Sequence, residues 1–318
     1  MSSNDFKYLY GPVPSRRLGR SLGVDLVPFK TCTYDCIYCQ LGRTTNKTME
    51  RRPYVPINHV LDELKMKLAS GEMPDYISLA GSGEPTLHSG IGELIGMIKN
   101  MTTIPVAVLT NGSLLYRPEV RAALMNADLV IPSLDAGDET IFRYVNRPHL
   151  SISFDNMVNG LIEFTDDFPG QVWLEVLLVS GVTGMSADVE KIAAWAGKIG
   201  PNKVQLNTVC RPAVEEYACA VVGNQMNNLA GLFAGTVEII SDDQPSLYSS
   251  TASRGAATGH EIVDLLARRP CTLAGICSGL GLHPHEAAKM LKKLADEKRI
   301  TTLRADHDVF YKISEILK

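Results

Sequence analysis

Short apolar runs alternate with segments of helical periodicity over most of the chain. The apolar runs predict buried strands at 22–29, 76–80, 105–109, 128–135, 171–179, 203–209 and 236–240. Apolar positions at helical spacing predict helices at 56–71, 91–100, 118–126, 154–167, 187–199 and 225–233. Near-continuous apolar strands that alternate with amphipathic helices are typical of a parallel sheet covered by helices, so we predict an α/β fold. Right-handed crossovers allow either an open sheet or a closed barrel, and the periodicity leaves both open.

The pattern changes near the C-terminal end. A stretch rich in Ser, Thr, Ala, Gly and Asp predicts a linker at 242–258, which divides a domain at 1–241 from a small domain at 259–318. In the small domain we expect a helix at 261–269, a segment at 271–277 with a turn at 279–281 that leads into a helix at 284–298, and a hairpin at 300–313. A helix, a helix-turn-helix and a hairpin in this order resemble a winged helix.

Composition is that of an ordinary soluble globular protein. The chain has 318 residues, of which 45% are hydrophobic and 21% charged, and its formal net charge is −4. No apolar run approaches the ~18 residues of a membrane span, so we expect no membrane association. The N-terminus lacks the basic-then-apolar pattern of a signal peptide. The seven cysteines are odd in number and three are closely spaced, which does not fit a disulfide framework and predicts a reducing cytoplasm.

Positive charge is concentrated at 7–52, which holds nine Lys and Arg against three acids. One interpretation is a solvated rim, and the other is a site for an anionic substrate. The arginines form two groups, Arg16, Arg17 and Arg20, and Arg43, Arg51 and Arg52, which we expect to meet over the mouth of a barrel. The small domain is only weakly basic, with ten Lys and Arg against eight acids over 256–318. Both nucleic-acid binding and protein docking therefore remain open for it.

The densest chemistry lies in the stretch Thr-Cys-Thr-Tyr-Asp-Cys-Ile-Tyr-Cys, after the first predicted strand. It places Cys32, Cys36 and Cys39 on one short loop, where three thiolates can converge on a soft metal centre. An iron–sulfur cube takes four ligands, one per iron, so three cysteines leave one iron for a ligand that is not protein. A zinc site and unligated buried thiols are the alternatives, although the next cysteine is Cys210 and no histidine is near.

This spacing, with Tyr38 directly before the third cysteine, resembles the radical S-adenosylmethionine (SAM) superfamily. The resemblance implies a partial (β/α)6 barrel, a [4Fe–4S] cluster on the three cysteines, and SAM chelated at the open iron. It implies that an electron from the cluster splits SAM into methionine and a 5′-deoxyadenosyl radical, which abstracts a hydrogen atom. Tyr38 would lie against the adenine, and the electron would come from a donor such as a flavodoxin or ferredoxin.

Polar residues end the predicted strands, and in barrels of this kind chemistry gathers at the C-terminal strand ends. The residues in question are Ser82, Gly83, Glu84, Asn111, Ser133 and Asp135. The stretch 81–85 resembles the Gly-Gly-Glu-Pro element that holds the SAM amino group in the superfamily, with Ser82 in place of the first Gly. Ser133 and Asp135 could bond the SAM ribose or carboxylate, and a turn or capping role is the alternative for each.

Two further residues are candidates for catalysis. Glu175 lies within an apolar strand, where a carboxylate is costly unless it is paired or faces a cavity. Cys210 ends the sixth strand and could donate a hydrogen atom or ligate a second cluster, although a buried apolar cysteine is the alternative.

The stretch 10–23, taken with the cysteine motif and 81–86, looks like the small Fe–S oxidoreductases that are similar to wyosine tRNA-modification synthases. This resemblance covers about residues 8–215. Those synthases carry a second cluster on upstream cysteines, and here no cysteine precedes Cys32. We therefore predict a radical SAM enzyme whose substrate is an RNA, a protein or a small anionic molecule. The alternative is a non-enzymatic Fe–S sensor that regulates transcription through the winged helix.

Overall fold

The computed structural model describes residues 6–71, 73–240, 259–268, 270–305 and 308–314. The linker predicted at 242–258 lies outside these residues, so the domain limits stay predictions. The strands are β1 (Leu9–Ser15), β2 (Gly19–Val24), β3 (Thr31–Cys32), β4 (Asn46–Lys47), β5 (Tyr76–Leu79), β6 (Val106–Thr110), β7 (Leu129–Pro132), β8 (Gln171–Leu178), β9 (Lys203–Thr208), β10 (Val237–Ile239), β11 (Cys271–Thr272), β12 (Ile300–Ala305) and β13 (Asp308–Ile313).

Along the chain, seven of the described helices lie between strands of the large sheet, and three lie in the C-terminal region. They are α1 (Ile57–Ala69), α2 (Ile91–Met101), α3 (Pro118–Leu124), α4 (Glu139–Val145), α5 (Phe154–Asp167), α6 (Ser186–Ile199), α7 (Gly223–Ala230), α8 (Gly259–Arg268), α9 (Leu273–Leu280) and α10 (Pro284–Asp296). A short 3-10 turn, Pro85–Leu87, follows β5. Among the described residues, each helix is too short or too polar to cross a bilayer.

Eight strands form one sheet in the order β1-β2-β5-β6-β7-β8-β9-β10. β1 and β2 are antiparallel, whereas β2 and the strands after it pair in parallel. The sheet is open because β1 and β10 occupy its opposite ends. The predicted α/β partial barrel is therefore confirmed, and the tertiary structure decides for the open form.

The strand of the large sheet that the sequence analysis missed is β1. Pro12 and Pro14 interrupt its sequence, and proline removes a backbone donor, so it is tolerated mainly at the edge of a sheet. β1 is such an edge strand, paired with β2 alone within the large sheet. The turn between them folds back so that Leu18 packs against Ala107, Leu129 and Ile131, on the face of the sheet opposite the helices.

The C-terminal region has a core of its own. Its three strands form a small antiparallel sheet in the order β11-β13-β12, and α8, α9 and α10 pack on it around Ile276 and Leu291. Val13 of β1 packs against this core, so the small domain contacts the edge of the barrel. The small C-terminal domain with a hairpin is confirmed, and its identification as a winged helix stays a prediction.

His88 ties the segment before α1 to the turn after β5. Its buried ring bonds the Val55 carbonyl through Nε2 at 2.9 Å and accepts from the Gly90 N–H through Nδ1 at 3.1 Å. An Nδ1 that accepts requires the neutral ring, whose Nε2–H then donates to Val55. Burial lowers the pKa of His88 below its usual value.

Acid should therefore destabilise the protein in part through His88. Below about pH 6.5 the unfolded chain binds a proton at this position that the folded chain excludes. The free energy of unfolding therefore decreases as the pH is lowered. His88→Gln keeps a donor and an acceptor but does not titrate, so its urea midpoint should change less between pH ~7.5 and ~5. Equal pH dependence in both proteins would contradict this assignment.

Candidate functional site

The site is assembled where the cysteine loop meets the turn after β5. The Lys30 N–H donates to the Ser82 carbonyl at 2.7 Å, and the Glu84 N–H donates to the Thr31 carbonyl at 3.1 Å. Between these bonds the two backbones run so close that a Cβ at Gly83 would lie 1.8 Å from the Thr31 carbonyl oxygen. Only glycine permits this approach, so Gly83 fixes the loop against the barrel.

Each of the three cysteine sulfurs has a nitrogen donor. Cys32 Sγ accepts from Asn111 Nδ2 at 3.5 Å, Cys36 Sγ from Asn146 Nδ2 at 3.5 Å, and Cys39 Sγ from Lys30 Nζ at 3.3 Å. The donors come from three different parts of the chain: the end of β6, the end of α4 and the loop itself. The fold therefore presents the three sulfurs together in a polar cradle.

Burial favours the protonated form of the Cys32 and Cys36 thiols. Burial first, then the nearby Glu84 charge, raises the pKa of Cys32 to about 12, and burial also raises the pKa of Cys36. Binding of a metal centre must displace these protons. Among the described residues, no three His, Cys, Asp or Glu side chains are grouped to hold a single ion. A cube needs no such grouping, because each thiolate binds a different iron.

A second polar network lies beside Cys36. Asp135, only 3% exposed, accepts hydrogen bonds from the Tyr38 hydroxyl, from Asn146 Nδ2 at 2.8 Å and from the Leu177 N–H at 3.0 Å. Burial raises the pKa of Asp135 to about 6 against the lowering effect of these bonds. The network joins the cysteine loop to the ends of β7 and β8 and fixes the orientation of the Tyr38 ring.

Glu84 is buried and its carboxylate is used within the protein. Its Oε1 accepts from Thr86 Oγ1 at 2.5 Å and Thr110 Oγ1 at 2.6 Å, and its Oε2 accepts from the Asn111 N–H at 2.8 Å. The carboxylate thus ties the turn after β5 to the end of β6. Ser82 is held in turn by Asp25, which accepts from its N–H at 2.6 Å and from its hydroxyl at 2.8 Å.

A cavity of about 410 Å³ opens on the face of the sheet opposite the helices. Ser133 and Glu175 line it from the strands, and Tyr38 and Cys39 line it from the cysteine loop. Leu265 of α8 completes one wall, so the C-terminal domain takes part in this cavity. The cavity therefore connects the cysteine loop to the interior of the partial barrel.

Glu175 faces this cavity as part of an ion pair. Arg17, from the turn between β1 and β2, reaches its carboxylate with 2.8 Å between Nη1 and Oε2, and Asn207 donates to Oε1 at 3.0 Å. Burial alone would raise the pKa of Glu175, but Arg17 and Asn207 bring it below its usual value. A carboxylate on an apolar strand is thus explained by a partner and a cavity, the two conditions that the sequence analysis named.

The structure separates the two arginine groups that were expected to meet. Arg16 and Arg17 line the cavity, whereas the backbone N–H of Arg20 binds Asp75 at the far end of the barrel. The other group is occupied elsewhere. Arg43 pairs with Asp35 at 3.1 Å and with Glu215, Arg51 Nε donates to the Thr86 carbonyl at 2.9 Å, and Arg52 lies over the Tyr54 ring. This expectation was wrong because these three side chains are held by partners outside the cavity.

Cys210 stands apart from the other residues predicted from the sequence. It follows β9 but is not among the residues that line the cavity, although its neighbour Arg211 is. Ser133 does line the cavity, and its backbone forms a β-bridge with Glu175 on the adjacent strand. The roles assigned to these residues stay predictions.

Several residues of the site were missed from the sequence. Asp25 had a usable signal, since it is an acid within an apolar strand, as Glu175 is. Lys30 and Asn146 gave none, and the pairing of Arg17 with Glu175 was not predicted, because these contacts depend on how distant segments fold together. Asn146 lies 110 positions from the cysteine that it contacts.

Comparison with known proteins agrees with this geometry. Residues 26–196 match the family model described as the Radical SAM superfamily. A UPF0026 protein of Methanocaldococcus jannaschii is 31% identical over 319 residues, which cover 95% of this chain and 94% of that protein. A UPF0026 protein of Helicobacter pylori (strain J99) is 33% identical, with 98% of this chain and 99% of that protein covered. None of these names identifies a tRNA, so the resemblance to wyosine synthases stays a prediction.

A further relative is a longer protein. It is called GTPase Obg, from Brachyspira hyodysenteriae, and is 40% identical over 294 residues, or 92% of this chain. The chain spans only 43% of the length of that relative. The phosphate-binding sequence G-x-x-x-x-G-K-[S/T] does not occur in this chain, so the similarity brings no GTPase motif with it.

Solved structures share the fold. A radical SAM methyltransferase from Sphaerobacter thermophilus superposes with a TM-score of 0.51 at 15% identity, over 69% of this chain and 66% of that one. SuiB from Streptococcus suis, solved with S-adenosylmethionine bound, gives a TM-score of 0.51 at 11% identity, over 68% and 49% of the two chains.

Proposed function

This chain belongs to the radical SAM superfamily, and we propose that it is an enzyme that abstracts hydrogen from an anionic substrate bound in the barrel cavity. Its cofactors are a [4Fe–4S] cluster and SAM. The observation that supports the proposal most directly is the cradle of three cysteine sulfurs, each with its own nitrogen donor, of which Cys39 lines that cavity.

Cys32, Cys36 and Cys39 would hold the cluster, and the reduced cluster supplies the electron that cleaves SAM. The loop Ser82-Gly83-Glu84 lies against the cysteine loop, and its backbone would bond the amino group of SAM. Tyr38, held by Asp135, would place its ring against the adenine. Asn111 and Ser133 lie at the ends of neighbouring strands and would bond the remaining polar groups of SAM.

Charge in the cavity favours an anionic substrate. Three guanidinium groups, of Arg16, Arg17 and Arg211, face the cavity with two carboxylates, of Asp135 and Glu175. Arg17 is paired with Glu175, and three neutral donors stabilise the carboxylate of Asp135, so the groups that face the cavity hold one more positive than negative charge. Arginine presents a planar fork that binds a phosphate or carboxylate through two hydrogen bonds.

The experiment that tests the function is anaerobic incubation of the purified protein with SAM and a chemical reductant or a flavodoxin or ferredoxin. Deuterated RNA, protein and small molecules, both anionic and neutral, are supplied as substrates, and transfer of deuterium into 5′-deoxyadenosine is measured by mass spectrometry. Cleavage of SAM without transfer from any anionic substrate, but with transfer from a neutral one, would contradict the proposed substrate class.

Once a substrate is found, Arg16→Ala should weaken its binding. A hydrogen bond to a charged group contributes about 1.5–3 kcal/mol, so we expect a loss of roughly ten- to a hundredfold in kcat/KM. Cleavage of SAM in the absence of substrate should persist, because Arg16 supplies no ligand to the cluster. Arg52→Ala is the matched control, since that side chain lies over Tyr54 and outside the cavity. Parallel loss of both activities in Arg16→Ala would instead assign this arginine to the fold.

A second function is favoured by one observation in the C-terminal domain. The outer face of α10 exposes Lys289, Lys292 and Lys293, next to the hairpin of β12 and β13. In winged helices the corresponding helix enters the major groove of DNA, so the alternative is an Fe–S regulator of transcription. A gel shift on random and promoter DNA separates the two. DNA binding that depends on the cluster, without SAM cleavage, would favour the regulator.

A further inference from the structure

Lys30 is a buried cation that faces sulfur in place of a carboxylate. Lys30 is only 3% exposed. Its Nζ lies 3.3 Å from Cys39 Sγ and donates to the Gly42 carbonyl. Among the described ion pairs, none gives Lys30 a carboxylate partner. A buried ammonium is costly unless an anion compensates it. Of the two groups that Lys30 Nζ contacts in the described hydrogen bonds, the one that can become anionic is the thiol of Cys39.

We infer that Lys30, with Asn111 and Asn146, sets the reduction potential of the cluster by donating one hydrogen bond to each of its three cysteine sulfurs. The inference rests on the proposed binding of the cluster by Cys32, Cys36 and Cys39. Hydrogen bonds to ligand sulfurs and nearby charge are the means by which a protein adjusts the potential of an iron–sulfur cluster.

The bound cluster is the anion that Lys30 lacks. Three thiolates outweigh the positive charge of the oxidised core, and reduction adds one more negative charge. The ammonium of Lys30 therefore stabilises the reduced cluster more than the oxidised one, which raises the potential. The backbone of Lys30 supports this role. Its φ is 61°, a left-handed conformation that residues other than glycine seldom adopt, and in this conformation the ammonium lies next to Cys39.

The two asparagines act without charge and are held from behind. Asn111 Nδ2 also donates to Thr33 Oγ1 at 2.7 Å, while its Oδ1 accepts from the Ser113 N–H at 3.0 Å. Asn146 Nδ2 also donates to Asp135 at 2.8 Å. These contacts fix both amides with their N–H groups directed to sulfur. We expect each amide to affect the potential less than Lys30 does, because a neutral donor interacts more weakly with added charge.

The test is a redox titration of the cluster followed by electron paramagnetic resonance (EPR), which requires no substrate and no turnover. In Lys30→Met we expect the equilibrium constant for one-electron reduction to fall at least tenfold, which corresponds to about 59 mV toward negative potential. Lys30→Arg keeps the charge and should stay near the wild-type value. The matched control is Lys47→Met, which removes an exposed lysine of the same loop whose Nζ donates to the Arg147 carbonyl at 3.1 Å.

The outcomes separate the inference from the proposal on which it rests. If the wild-type protein shows no [4Fe–4S] signal, the proposed cluster assignment is wrong. If the cluster is present and Lys30→Met keeps the wild-type potential, the inference is wrong, as it is if Lys47→Met lowers the potential equally. Should Lys30→Met fail to assemble the cluster, Lys30→Gln retains a neutral N–H donor, and an unchanged potential in that variant would likewise overturn the inference.

Discussion

Cys36→Ala is expected to abolish the broad absorbance near ~400 nm of the anaerobically purified protein, together with its cleavage of SAM. The variant leaves one iron of the cube without a ligand, in a site where the hydrogen bond from Asn146 is directed to the missing sulfur. Changing a residue that only supports a ligand already costs about 10–100-fold in metal affinity or activity. Loss of the ligand itself should therefore reduce SAM cleavage by more than about 100-fold.

Cys219→Ala is the control for this experiment, because Cys219 is exposed and its sulfur contacts only the Glu216 carbonyl, at 3.8 Å, among the described hydrogen bonds. That variant should keep its iron content and its absorbance. Cys32→Ala and Cys39→Ala should behave as Cys36→Ala does. Stoichiometric zinc in the wild-type protein, or a full cluster in any of the three variants, would rule out the proposed ligands.

Gly83→Ala should destabilise the protein by about 3 kcal/mol or more, since overpacking that the backbone must absorb lies at the upper end of such effects. The added Cβ would lie 1.8 Å from the Thr31 carbonyl oxygen and 2.8 Å from its carbon. These are backbone atoms, so no side chain can rotate away to make room. The loop must move away from the turn after β5, and the bond from the Glu84 N–H to Thr31 must lengthen or break.

Two measurements check this prediction, the urea midpoint of unfolding and the iron content after reconstitution. Both should fall in Gly83→Ala. The contact between Gly83 and Thr31 also holds Cys32 in place, since Cys32 is the residue that follows Thr31. The matched control is Gly96→Ala in the middle of α2, where the added Cβ meets no atom within 4 Å. That control should be neutral or stabilised by up to ~1 kcal/mol, since alanine favours the helix. A loss in Gly96→Ala equal to that in Gly83→Ala would refute the steric explanation.

Much of the fold follows from the order of local patterns. Each apolar run between 76 and 209 became a strand of the parallel sheet, because a strand buried on both faces needs apolar residues at successive positions. β1 was not predictable in this way. Its two prolines argue against a strand, and only the place that it takes at the edge of the sheet makes them tolerable.

The candidate site, too, was predictable from the sequence only in part. The sequence by itself determined the three cysteines on one loop, the Ser82-Gly83-Glu84 turn and the acid at Glu175, because each is a short motif or a charge within an apolar strand. Only the tertiary structure decided which side chains complete them. Arg17 reaches Glu175 across 158 positions, and Asn111 and Asn146 reach the cysteine sulfurs from the end of β6 and the end of α4. Local spacing fixes which groups share a loop, whereas hydrogen bonds and ion pairs depend on the path of the whole chain through space.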